Sequence, residues 1–128
     1  MSQFLVLSRS LLTVRIFAAG VIALLESKYS APSTIQSQAW PLALSGRDMV
    51  ACAETGSGKT LGFILPALIH ASQQSSFRNN SGPLAMVLCP TRELAQQVAA
   101  EAAPFCRVSR LNSDTRPIIC SLLIVPVT

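Results

Sequence analysis

Acidic side chains are scarce in this 128-residue chain: six Asp and Glu stand against ten Lys and Arg, for a formal charge of +4. That balance suits an anionic partner but is too mild to identify one. Cys-x-x-Cys pairs are absent. The four cysteines, Cys52, Cys89, Cys106 and Cys120, are widely spaced, which disfavours a zinc site. Three of them lie in apolar runs, and the expectation is buried, reduced thiols of an intracellular protein. There is one histidine, His70, near a predicted helix end; it is given no catalytic role. Also missing is an uninterrupted hydrophobic run long enough to span a bilayer, because Arg9 and Arg15 break the stretch from Phe4 to Leu25. No internal repeat is visible. With half the residues hydrophobic and 12% charged, disorder over most of the chain is excluded, and the length suits one domain with a modest core.

What is present divides into three stretches: a divergent N-terminal segment (1–16), a domain-like part (17–106) and a divergent tail (107–128). The first 25 residues hold two Arg, several Ser and no acid, a faint likeness to a mitochondrial presequence. The competing reading makes 17–25 a buried helix of the domain, and a nuclear or cytoplasmic protein is then expected. Apolar spacing predicts a helix from Phe17 to Lys28, ended by Ser30-Ala31-Pro32. Ser33 or Thr34 can cap a second helix running to Leu44, with Pro41 kinking it. A turn at 45–48 delivers a strand at Met49–Ala53, and a helix follows from Lys59 to about His70. Leu84–Cys89 reads as a short buried strand, Pro90-Thr91 as the entry to a helix ending near Cys106, and Ile118–Val125 as a third strand. Apolar strands alternating with helices predict an α/β fold, a parallel sheet covered by helices.

Residues 53–60 carry the strongest chemical signal: Ala-Glu-Thr-Gly-Ser-Gly-Lys-Thr. A Gly-bearing turn between an apolar strand and a helix is the context of a phosphate-binding loop. Gly56 and Gly58 let the backbone curl so that N–H groups converge on phosphate oxygens, toward which the following helix also points its positive end. Lys59 adds a full charge for the outer phosphates, and Thr60 offers a hydroxyl to Mg²⁺. Ala53 stands where the general pattern has Gly. The bland alternative is a Gly-rich turn that binds nothing.

Two further segments flank this loop, Tyr29-Ser30-Ala31-Pro32-Ser33-Thr34-Ile35-Gln36 upstream and Pro90-Thr91-Arg92-Glu93-Leu94-Ala95 downstream. In this order the trio resembles the Q motif, motif I and motif Ia of DEAD-box RNA helicases, over roughly 17–106. Gln38-Ala39-Trp40-Pro41 and Gly46-Arg47-Asp48 look like that family as well. The resemblance implies part of a RecA-like P-loop NTPase domain that binds ATP and Mg²⁺. Gln36 would read the adenine edge, to which a primary amide can both donate and accept. Tyr29 would pack on the adenine face. Thr55, Gly56, Ser57, Gly58, Lys59 and Thr60 would hold the phosphates, with Lys59 and Thr60 serving catalysis and Thr60 ligating Mg²⁺. Pro90, Thr91, Arg92 and Glu93 would touch the backbone of single-stranded RNA without reading its sequence.

Each segment also has a plainer reading. Gln36 would be a surface amide, Tyr29 a hydrophobic staple, and Thr91 a helix cap with Glu93 favourable in the first turn. The sequence also departs from the family. It contains no Asp-Glu-Ala-Asp, no Ser-Ala-Thr and no Thr-Pro-Gly-Arg segment. Beyond the loop its acids are Glu93, Glu101 and Asp114, and Asp114 sits in a polar turn before a strand, a poor place for a Mg²⁺ ligand. The resemblance therefore implies an ATP-hydrolysing helicase of which this chain alone is expected to be inactive. The alternative is a nucleotide- or partner-binding product without turnover. An unrelated P-loop kinase or GTPase is a further alternative, against which the Gln36 segment argues.

Overall fold

A computed structural model of the chain describes residues 19–73, 83–109 and 122–126. Its elements are α1 (Ala19–Lys28), α2 (Thr34–Leu44), α3 (Lys59–Gln73), β1 (Ala85–Cys89), α4 (Arg92–Val108) and β2 (Leu122–Pro126). Local chemistry explains most of these boundaries. Ser33 caps α2 and forms a reciprocal capping box with Gln36. Thr91 caps α4, its hydroxyl accepting from the Leu94 amide at 3.3 Å. Gly46, at a φ of 75°, turns the chain after α2 in the left-handed region that glycine adopts without strain. Helices α2, α3 and α4 each contain a proline: Pro41, Pro66 and Pro104. Each removes one backbone donor from its helix, so packing must sustain what local bonding does not.

α3 is the centre of the fold. Its Leu61, Ile64 and Leu65 are fully buried, as is Phe105 of α4. Around them close Val21 and Leu25 of α1, Trp40 of α2, Cys89 of β1, and Ala95, Val98 and Ala102 of α4. The buried positions of α4 recur every three or four residues, so one stripe of that helix faces inward. β1 and β2 pair in parallel, with Ala85 opposite Leu122 and Cys89 opposite Pro126, and α4 is the crossover between them. The expected parallel α/β arrangement is present. No helix among the described residues is long and apolar enough to cross a membrane.

Three expectations need correction. Met49–Ala53 is not a strand: it joins no ladder among the described residues, and Val50 is almost fully exposed. An apolar run specifies an extended backbone at most, and a strand also needs a neighbour to pair with. Among the described residues, β1 is covered on one face only. Val87 and Cys89 pack toward the helices, whereas Met86 and Leu88 are 57% and 64% exposed on the other side, the period of two expected of a one-sided sheet. The thiol expectation fails at Cys52, which is exposed because its segment lies outside the sheet; Cys89 and Cys106 are buried. Phe17, Ala18 and the predicted start of the last strand at 118–121 lie outside the described residues, as does Cys120.

Candidate nucleotide site

The loop before α3 is built by its glycines. Gly56 and Gly58 have φ values of 79° and 84°, so two of three successive residues take the left-handed backbone that glycine adopts without strain. Ser57 fastens the turn, its amide and hydroxyl both donating to the Glu54 carbonyl, at 3.3 Å and 2.7 Å. The Gly62 amide donates to the Gly58 carbonyl at 3.2 Å and opens the helix. Lys59 folds back over the loop and donates to the carbonyls of Ala53 and Glu54, the latter at 2.9 Å. An ammonium group has three donors and swings on a flexible stem, so these contacts hold Lys59 beside the loop without fixing it there. Thr60 is half-buried in the first turn of α3.

Gln36 lies against this loop. Its Oε1 accepts from the Ser33 amide at 3.0 Å, and its Nε2 donates to the Gly58 carbonyl at 3.1 Å. The side chain is buried, which removes the surface-amide reading. A Cβ placed on Gly58 would sit 2.5 Å from Gln36 Nε2, the end of a flexible side chain that would have to shift, while the φ of 84° independently favours glycine. Two more side-chain bonds tie α2 to α3 and were not foreseen. Trp40 Nε1 donates to the Leu61 carbonyl at 3.0 Å, and His70 Nε2 lies 2.9 Å from the Ala43 carbonyl. The visible signal was spacing: Gln36 and Trp40 are four apart and share one helix face.

Beside the loop opens a cavity of about 470 Å³, bounded by Pro32, Ser33 and Thr34 on one side and by Cys52, Ala53 and Ser57 on the other. Tyr29 is not among its lining residues. The half-exposed Tyr29 phenol is raised above its ordinary value of 10.0, first by burial and then by the carboxylate of Glu101 on α4. The third segment is exposed from Pro90 to Glu93, at the C-terminal end of β1. A second cavity, about 300 Å³, runs from Lys59 and Thr60 to Cys89 and Leu94, and so joins the first turns of α3 and α4. Open α/β sheets place their ligands beyond the carboxyl ends of their strands, which is where both helix starts lie. Among the described residues no cluster of three His, Cys, Asp or Glu side chains could hold a metal ion.

The DEAD/DEAH box helicase family model matches residues 33–118, two thirds of the chain. The chain belongs to the DEAD/DEAH box helicases. Among relatives of this helicase chain is the ATP-dependent RNA helicase DBP2 of Encephalitozoon cuniculi, 54% identical over 93 residues, which cover 73% of this chain and 19% of the relative. The probable ATP-dependent RNA helicase DDX17 of Homo sapiens is 51% identical over 90 residues, 70% of this chain and 12% of the relative. Among solved structures, the RNA helicase Prp28 of Chaetomium thermophilum bound to ADP superimposes with a TM-score of 0.65 at 40% identity, covering 71% of this chain and 22% of Prp28. The chain thus spans a fifth or less of the length of these curated relatives, and it carries a partial RecA-like domain.

Proposed function

We propose that this chain is the ATP-binding part of an ATP-dependent RNA helicase. The observation that carries the reading is the bond from Gln36 Nε2 to the Gly58 carbonyl, because it joins two motif segments 22 residues apart into one site. The loop from Thr55 to Thr60 takes the phosphates, with the amides of 56–58 and the Lys59 ammonium supplying positive charge. Gln36 selects adenine by exchanging its internal partners for the base edge, and Tyr29 offers its ring to the adenine face. Mg²⁺ keeps several waters and binds largely through phosphate oxygens, so the Thr60 hydroxyl suffices as one ligand. Bound ATP·Mg²⁺ supplies the phosphoryl group and the metal charge. The chain's own residues position it. Pro90 to Glu93 form a short stretch of the track for the backbone of single-stranded RNA. In the whole architecture, ATP-driven closure of two lobes around RNA would bend the strand and open a short duplex.

Displacement of fluorescent ATP·Mg²⁺ from the purified chain by ATP and by GTP tests this. The expected result is saturable binding, displaced well by ATP and poorly by GTP, with Gln36→Ala reducing that discrimination. Equal displacement by both nucleotides would remove adenine selection, and no saturable binding would remove the reading itself. The outward Met86 and Leu88 favour a second reading, a partner-binding product without turnover. Saturable binding of a protein partner in the absence of nucleotide binding would select it.

A further inference from the structure

We infer that Trp40, which touches neither cavity at the site, is a positioning residue for phosphate binding; this rests on the ATP-binding reading above. The first turn of α3 carries Lys59 and Thr60, and it is the least self-supporting part of that helix. Gly58 enters it at a φ of 84°, Gly62 lies within it, and Pro66 has no N–H to give the Gly62 carbonyl. Its one closing bond, from the Gly62 amide to the Gly58 carbonyl, is supplemented from outside. Gln36 grips its entrance through the Gly58 carbonyl, and Trp40 grips its far side through the Leu61 carbonyl, one residue beyond Thr60.

The Trp40 bond is the better protected of the two grips. Trp40 and Leu61 are 6% and 1% exposed, so water cannot replace the indole N–H when that donor is lost. Trp40 is absent from the lining of both cavities, and it acts on the phosphates only through the backbone of α3. Gln36 and Trp40 lie one turn apart on α2, so a rigid helix fixes the spacing of the two grips. Removing the rear one leaves Lys59 and Thr60 on a turn free to shift relative to the loop amides, and geometric slack of this kind weakens a multi-point phosphate site.

The chain contains a single tryptophan, so biosynthetic replacement by β-(3-benzothienyl)alanine alters position 40 alone, keeping ring size while putting sulfur in place of N–H. Trp40→Phe provides the second variant. Competition against fluorescent ATP·Mg²⁺ is read with ATP and with AMP. The expected result is a several-fold loss of ATP affinity, with the roughly tenfold value of one buried hydrogen bond as its ceiling, and AMP affinity changed far less. A merely structural role would lower the folded fraction and move both nucleotides by the same factor. An unchanged ATP-to-AMP ratio in the benzothienyl protein overturns the inference while leaving ATP binding intact. Failure of the unaltered chain to bind ATP would instead overturn the ATP-binding reading, and this inference with it.

Discussion

Gly58 answers to two demands, and they can be separated by comparison with its neighbour. Gly56 has a similar φ but open space where a Cβ would point, whereas at Gly58 the Cβ would displace Gln36 Nε2. Gly56→Ala is expected to cost about 1 kcal/mol from the left-handed backbone alone. Gly58→Ala should cost about 2–3 kcal/mol, because the amide must also leave its bond. Urea denaturation of both variants checks the difference, and equal midpoints would contradict the close contact. Tyr29 is the sole tyrosine, so absorbance titration reads it directly. Its midpoint should lie above 10.0, and Glu101→Gln should lower it partway, since burial is the larger cause and remains. With the folded value raised, the neutral phenol's contribution to stability is complete below pH 10 and fades as pH climbs through that value. A midpoint unmoved by Glu101→Gln would sever Tyr29 from α4.

Among the elements, what was legible in the sequence was local. The cap at Thr91 and the glycines of the loop act within three or four residues of themselves, so pattern alone located them, and it narrowed the α2 cap to Ser33 or Thr34, of which the structure uses Ser33. Bonds from Gln36 to Gly58 and from Trp40 to Leu61 run from α2 to the loop and to α3, and no spacing rule names the carbonyl at the far end. The strand expected at 49–53 was misread for a related reason. Five apolar residues can set conformation, but a ladder depends on a partner that the run itself does not contain. β1 was legible as a strand and illegible as one-sided, because Met86 and Leu88 are as apolar as the residues that face the helices. Their exposure has a consequence for solubility. Met86→Lys should leave the unfolding free energy within about 0.5 kcal/mol of the parent while reducing light scattering at high concentration. Marked destabilisation would mean that this face is covered.

At the scale of the whole molecule, the described helices and β1 share one small core. α3 is its axis, and the glycine-bearing loop at 54–58 leads into the N-terminus of that axis. Binding and folding should therefore be coupled: ATP·Mg²⁺ at one hundred times its Kd should raise stability by about 2.7 kcal/mol, and Lys59→Ala should abolish most of that increment. Thermal melts with and without nucleotide measure it, and equal shifts in both proteins would take Lys59 out of the site. Turnover is a separate matter. The chain has no Asp-Glu-Ala-Asp segment to orient water and metal, so RNA-stimulated ATP hydrolysis by the purified chain should be negligible in a phosphate-release assay. Turnover near that of complete helicases would show that other groups serve.

The exposed sulfur of Cys52 borders the larger cavity, across from Pro32 and Ser33, while Cys89 and Cys106 are shielded in the core. Position 52 therefore amounts to a built-in footprinting probe: alkylation by a small maleimide would be rapid there, and a bound ligand would slow it in proportion to the time it spends in the cavity.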